Sequence, residues 1–251
     1  MGHAAAKGGP RPARADAIES AVAAVDWDRV GEDLTRIGAV RTGPLLSPET
    51  CADLRALFDR DARFRKTVTM ARHGYGSGTY RYLADPLPET VAQLQAAVYA
   101  RLAPVANRLA GLTGASADWP GDFAEMATRS AAAGQTAPTP LLLKYGPGDF
   151  NCLHQDVYGA VAFPLQLVVS LSSPGEDFMG GEFVVVENRP RRQSTASVAV
   201  PALGEGVVFA TREAPRRTSK GWSRASLRHG VSAVTKGERM TLGVIFHGAT
   251  P

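Results

Sequence analysis

Two histidines, one carboxylate and one arginine carry the chemistry this sequence offers. LHQDVYG places His154 and Asp156 two residues apart. On an extended strand that spacing puts both side chains on one face, within reach of a single metal ion. The pair gains meaning from His229 in LRHGVSAV, 75 residues beyond His154, which is expected to begin a later strand. Two imidazoles and one carboxylate on one side of a metal leave three coordination positions free for reactants. Arg239 follows His229 by ten residues, in GERMTLGVIFHG, at the start of the next expected strand. A fixed guanidinium there grips a carboxylate through two parallel hydrogen bonds. A 2-oxo acid that chelates the metal needs such a partner for its far carboxylate.

Other residues admit two readings each. Gln166 in FPLQLVV either bonds oxygens at the metal from an inward strand position or satisfies a buried neighbour. Tyr158 and Trp222 either stack on a planar substrate or pack against loops. His73, in a glycine-rich loop, either covers the substrate mouth or is an exposed turn residue. His247 reads as a structural histidine, Cys152 as a packed thiol beside the ligand strand, and Cys51 as a buried helix residue.

The elements that must hold these groups fall into two halves. After a small, Pro/Gly-rich stretch, residues 1–13, read as a flexible tail, Ile18, Val22 and Val25 recur at helical spacing. A second helix runs through Val30, Leu34 and Ile37 to Gly38, and a third is capped by Ser47 with Pro48 in its first turn. Residues 63–83 read as short strands around the turn ARHGYGSGTYRYL. Pro88 opens a long helix through Leu94, Val98, Leu102, Val105 and Leu109, and Trp119 to Ala133 reads as another. From Thr139 onward, short β-rich runs follow one another without helices, which argues for an antiparallel sandwich or barrel. The expectation is one α+β unit over 14–251, in which 14–138 gives mainly helical support and a substrate lid and 139–251 forms the strand core.

Composition bounds the rest. The chain has 251 residues, 44% apolar and 21% charged, too apolar for a solvated coil, and no apolar run approaches membrane-spanning length. Two cysteines cannot build a disulfide framework and fit a reducing compartment, so a cytoplasmic monomer is expected. The net charge of +4 is uneven, for Arg189 to Arg228 holds nine Lys or Arg against Glu205 and Glu213. Such a sector either meets an anionic partner or solvates loops.

With HxD, a distal His and Arg ten residues on, the sequence resembles the Fe(II)/2-oxoglutarate dioxygenases. YGPG before the first ligand and GGEF at Gly180 to Phe183 are similar to the prolyl-hydroxylase-like branch. The resemblance implies a double-stranded β-helix (jelly-roll) core with supporting N-terminal helices. It implies Fe(II) on His154, Asp156 and His229, with 2-oxoglutarate and O2 as cosubstrates. Arg239 and Tyr145 would hold the far carboxylate, with Gln166 a further cosubstrate contact. PTPLLLKYGPGDFNCLHQDVYG and RHGYGSGTYRYL are also similar to a bacterial subfamily of oxygenases acting on damaged nucleic acid. Gly248 in FHGA stands where that subfamily usually carries an acid.

That subfamily implies damaged nucleic acid as partner; the basic sector, with Arg191 and Arg192, would meet its phosphates, and a base that must leave its stack favours single-stranded or damaged DNA. The loop with Arg72, His73, Tyr75, Tyr80 and Arg81 is then the candidate lid over a base. The rival readings are a hydroxylase of protein side chains or free amino acids, and a non-catalytic jelly-roll binding module.

Overall fold

The computed structural model describes residues 14–189 and 191–251, so the tail expected over 1–13 lies outside the described residues. Helices α1 (Arg14–Ala23) and α2 (Trp27–Ile37) lead to strand β1 (Ala39–Pro44) and helix α3 (Pro48–Leu57). Strands β2 (Phe64–Thr69), β3 (Gly76–Ser77) and β4 (Thr79–Leu83) precede the long helix α4 (Glu89–Leu112) and α5 (Phe123–Ala132). Then come β5 (Leu141–Tyr145), β6 (Phe150–His154), β7 (Leu165–Ser170), β8 (Phe178–Gly180), β9 (Phe183–Asn188) and β10 (Thr195–Ala199). The chain closes with β11 (Glu205–Ala210), β12 (Glu213–Thr218), β13 (Gly221–Val231), β14 (Val234–Gly237) and β15 (Arg239–Val244).

Local chemistry sets the helix ends. Asp26 caps α2 by accepting from the Arg29 amide at 2.9 Å, and Gly38 closes it in the left-handed region at φ 77°. Ser47 accepts from the Thr50 amide at 3.2 Å, with Pro48 in the first turn of α3. Asp122 caps α5, so that helix begins at Phe123 rather than at Trp119.

Two antiparallel sheets face each other. One runs β1-β11-β7-β15-β5-β4-β2, the other β10-β9-β13-β6-β3, with β12 folded as a hairpin onto the first half of β13. Strands β5, β6, β7 and β9 alternate between the sheets, and β10, β11, β13 and β15 alternate again, which is the winding of a double-stranded β-helix. Phe183 of one sheet meets Phe209 of the other at 4.9 Å between ring centroids. The N-terminal half is more than helical support, because β1, β2 and β4 extend the larger sheet and β3 extends the smaller.

One apolar cluster joins helices and sheets, from Ile18 and Val22 of α1 through Leu94, Val98 and Leu102 of α4 to Val207, Leu242 and Val244. Helix α1 lies on α4, and α2 leans on β1 and β11. Strands β7 and β11 are buried at every residue, which is why LQLVVS and GVVFA show no alternation.

Candidate functional site

Register brings the two histidines together. β13 pairs with β6 so that His229 stands directly opposite His154, their ring centroids 4.3 Å apart. His229 sits two residues before the end of β13, not at a strand start, and the pairing is irregular between His229 and Val231. Gly230 occupies that irregularity, where a Cβ would crowd the Asn151 and Cys152 carbonyls of β6. Asp156 lies two residues past the end of β6 rather than on it. Its carboxylate turns back between the rings, Oδ1 at 3.5 Å from His154 Nε2 and Oδ2 at 3.3 Å from His229 Nε2. One ligand atom from each of the three residues lies within 4.8 Å of the others.

Protonation suits a cation. His154 Nδ1 donates to the Cys152 carbonyl at 2.7 Å, because a carbonyl only accepts, and this leaves Nε2 as a lone-pair donor. Burial pushes the Asp156 carboxyl up, but the hydrogen bond and charge of His229, then His154 and Tyr158, outweigh it and hold it down at about 2. Burial lowers His229 below the ordinary imidazole value, against the pull of Asp156. Near neutral pH Asp156 is therefore a carboxylate and His229 a neutral imidazole.

Beside it stands a buried cation without an anion. Arg239 opens β15 opposite Tyr145 of β5, with its guanidinium 5.4 Å from the Tyr145 ring and 6.0 Å from Phe178. It is 2% exposed, and among the described residues no carboxylate lies within ion-pair distance of it. Gly181, at φ 65°, leaves the room, since a Cβ there would sit 2.8 Å from Arg239 Cδ. A buried guanidinium left unpaired is costly, so the position is made for an anion from outside. Three neighbouring polar atoms are equally without partners: Tyr145 Oη, Gln166 Nε2 and His229 Nδ1. Burial raises the Tyr145 phenol to about 12, with Arg239 pulling it down, so it remains a donor. The residues present fit a divalent metal and a small dicarboxylate lying side by side.

All of these groups line one cavity of about 380 Å³, together with Tyr75, Tyr80 and Tyr158. Tyr158 Oη donates to Asp156 Oδ1 rather than standing free. Tyr82, which sequence reasoning passed over, lines the cavity too. Its signal was the alternation of β4, where Tyr80 and Tyr82 share a face. Arg81, between them, points the opposite way: it donates to the Phe58 carbonyl at 2.5 Å, Asp61 at 2.6 Å and Thr67 at 3.1 Å, over the Phe64 ring. It braces β4 and takes no part in a lid.

The loop ahead of β3 does reach the site. Gly76 pairs with Asn151 of β6, and the Cys152 amide donates to the Tyr75 carbonyl at 2.9 Å. The His73 ring stacks on Tyr75 at 5.3 Å, while Arg72 and His73 are exposed and lie outside the cavity lining. Cys152 lines the cavity and Cys51 is buried. Trp222 is remote. It lies seven positions before His229, about 23 Å along β13, and under Arg217 at 5.4 Å. Arg191 and Arg192 are exposed in the β9–β10 turn, away from the cavity lining. Within the basic sector, Arg189 and Arg216 are tied to Glu187, and Arg212 and Arg224 lie 3.9 Å from Glu213. His247 Nδ1 accepts from the Phe163 amide at 3.2 Å, a structural role. At Gly248 a Cβ would overlap the Gln135 carbonyl oxygen, so this chain has no room there for the acid its resemblance leads one to expect.

Residues 78–249 match a family model described as "Oxygenase, catalysing oxidative methylation of damaged DNA". Over 164 residues the chain is 46% identical to uncharacterised proteins from two strains of Mycobacterium tuberculosis, across 65% of this chain and 70% of each of them. A Pseudomonas putida prolyl-4-hydroxylase is similar with TM-score 0.52 at 17% identity, covering 86% of this chain and 96% of that one. A 2OG-Fe(II) oxygenase family oxidoreductase from Burkholderia pseudomallei gives TM-score 0.52 at 19% identity, covering 89% and 93%. At such identities the last two are likenesses of fold.

Proposed function

The chain belongs to the oxygenase family described as acting on damaged DNA, and from that premise we propose an Fe(II)- and 2-oxoglutarate-dependent dioxygenase that oxidises a damaged base in single-stranded DNA. The observation that carries the reading is a three-residue ligand cluster and a buried guanidinium in one cavity. Three ligand atoms lie within 4.8 Å of one another, and a buried, anion-less guanidinium lines the same cavity.

His154, Asp156 and His229 would hold the metal, each offering one ligand atom. Arg239 would grip the far carboxylate of 2-oxoglutarate, with Tyr145 Oη and Gln166 Nε2 as further donors to the cosubstrate. Leu167, Phe183 and Phe209 give the space apolar walls. Fe(II) with 2-oxoglutarate and O2 supplies an oxidant able to break a C–H bond. Oxidation of a carbon attached to a ring nitrogen gives a hydroxyalkyl group that leaves as aldehyde, restoring the parent base. Residues 14–251 act as one unit, 139–251 carrying the ligands and 14–138 the support and the loop at the mouth. Among the described residues no helix is long and apolar enough to cross a membrane, and both cysteines are unpaired, in keeping with a reducing cytoplasm that preserves Fe(II).

The test is succinate release from 2-oxoglutarate with Fe(II) and ascorbate, and formaldehyde release when an N-methylated single-stranded oligonucleotide is added. His154→Ala and Asp156→Ala should abolish both. Near-wild-type turnover in either variant overturns the ligand assignment. Stimulation by a proline-containing peptide and not by the oligonucleotide overturns the substrate.

A further inference from the structure

Five of the chain's six tyrosines line the cavity that holds the candidate ligands. Tyr145 lies at the Arg239 end and is wholly buried. The other four are partly open to solvent and come from three places: Tyr75 from the loop before β3, Tyr80 and Tyr82 from β4, and Tyr158 from the loop after Asp156. Tyr80 and Tyr82 meet edge to face at 5.6 Å, and the Arg65 guanidinium backs the Tyr82 ring at 4.7 Å. Burial, reinforced by the neighbouring tyrosines, holds the Tyr80 phenol above its ordinary value, so it is neutral and able to donate.

Charge narrows what can enter. Among the described residues lining the cavity, the acidic and strongly basic side chains are Asp156 and Arg239. One faces the metal position and the other the cosubstrate carboxylate, so neither remains for the substrate. A free amino acid would bring an ammonium and a carboxylate into a space with no partner for either, which is strongly disfavoured. A nucleotide can enter only as its base, with the phosphates left at the rim. What the walls do offer is aromatic faces and neutral hydroxyls. These suit a flat ring with a polar edge.

We propose that Tyr75, Tyr80, Tyr82 and Tyr158 form a ring-recognition subsite that takes a planar heteroaromatic base swung out of a nucleic-acid strand. The ring stacks on the tyrosine faces, and the hydroxyls of Tyr75, Tyr80 and Tyr82 meet its edge, that of Tyr158 being held by Asp156. This rests on the oxygenase reading above for the reason a ring should approach His154, Asp156 and His229.

The test isolates one base from its backbone. A labelled oligonucleotide carries a single N-methylated adenine flanked by abasic sugars, and a second is abasic throughout. Both are titrated by fluorescence anisotropy into protein containing Mn(II) and 2-oxoglutarate, beside a proline-containing peptide. Wild type should bind the one-base strand roughly tenfold more tightly than the fully abasic strand. The ratio should fall towards one in Tyr75→Ala and Tyr80→Ala. Tyr75 is half exposed, so its variant keeps the test alive if Tyr80→Ala fails to fold. A ratio of one in wild type overturns the subsite. So does an unchanged ratio in Tyr75→Ala, or tighter tyrosine-dependent binding of the peptide. A separate titration of 2-oxoglutarate into the Mn(II) protein reports on the oxygenase reading. Protein that binds 2-oxoglutarate yet ignores the base loses the subsite and keeps the oxygenase.

Discussion

Tyr158 Oη donates to Asp156 Oδ1 at 2.9 Å, while Oδ2 of the same carboxylate faces His229 Nε2 at 3.3 Å. One residue of the cavity mouth thus fixes the rotation of a candidate metal ligand. Removing the hydroxyl in Tyr158→Phe should weaken metal binding by about tenfold, since partners that orient ligands commonly contribute that much. Mn(II) titration followed by electron paramagnetic resonance reads this directly. An unchanged affinity would mean that the carboxylate is oriented by the histidines alone.

Arg239 separates binding from folding. Arg239→Met should reduce 2-oxoglutarate affinity by roughly two orders of magnitude, the loss of a charge-assisted pair of about 2–4 kcal/mol. Metal affinity should hardly change. Thermal stability should hold or rise, because the variant removes a buried guanidinium that has no carboxylate partner. A falling melting temperature with unaltered 2-oxoglutarate binding would reverse the assignment.

Arg81 should behave in the opposite manner. Its hydrogen bonds to Phe58 and Thr67 and its place over the Phe64 ring fasten β4 to β2 and to the segment before it. Arg81→Ala should cost about 2 kcal/mol of stability in urea unfolding, most of it from the buried contacts, since Asp61 is largely exposed. Cosubstrate affinity should stay at the wild-type value.

His247 gives the fold an acid limit. Burial lowers its imidazole from 6.5 to about 4, so in the folded protein it stays neutral where the unfolded chain takes up a proton. Stability from this group is intact above pH 6.5 and declines as the pH falls towards 4, by about 3 kcal/mol in total. His247→Asn offers an oxygen to the Phe163 amide and does not titrate. Its urea midpoint should fall less steeply between pH 6.5 and 4 than that of wild type.

The ligand spacing was legible because it depends on residue types at fixed separations: His154, Asp156, His229 and Arg239 meet in one cavity. What the spacing could not convey was direction. Arg81 was paired with Tyr80 as a neighbour in sequence, but adjacent strand residues face opposite sides, and the residue that shares the cavity with Tyr80 is Tyr82. Trp222, a candidate for stacking on the substrate, stands near the opposite end of the 11-residue β13 from His229. Asp156 was placed on a strand that stops at His154. The surplus between Arg189 and Arg228 shrank because Glu187, outside the stretch counted, is tied to both Arg189 and Arg216. The larger sheet drew three strands from the N-terminal half, a long-range pairing that no local pattern encodes.

The attachment of β3 to β6 limits how this protein can diversify. Gly76, at φ 116°, lies so close to β6 that a Cβ would overlap the Phe150 carbonyl, and Gly78, at φ 111°, abuts the Tyr145 ring. The mouth loop and the strand bearing His154 are one ribbon, with no slack between them. A bulkier residue at Gly76 would push on the strand that carries His154, a candidate metal ligand, and one at Gly78 would push on Tyr145. The outward side chain of Tyr75 carries no such constraint. Exchanging that side chain would therefore leave the backbone beneath it, and with it the geometry of the candidate metal centre, as it is.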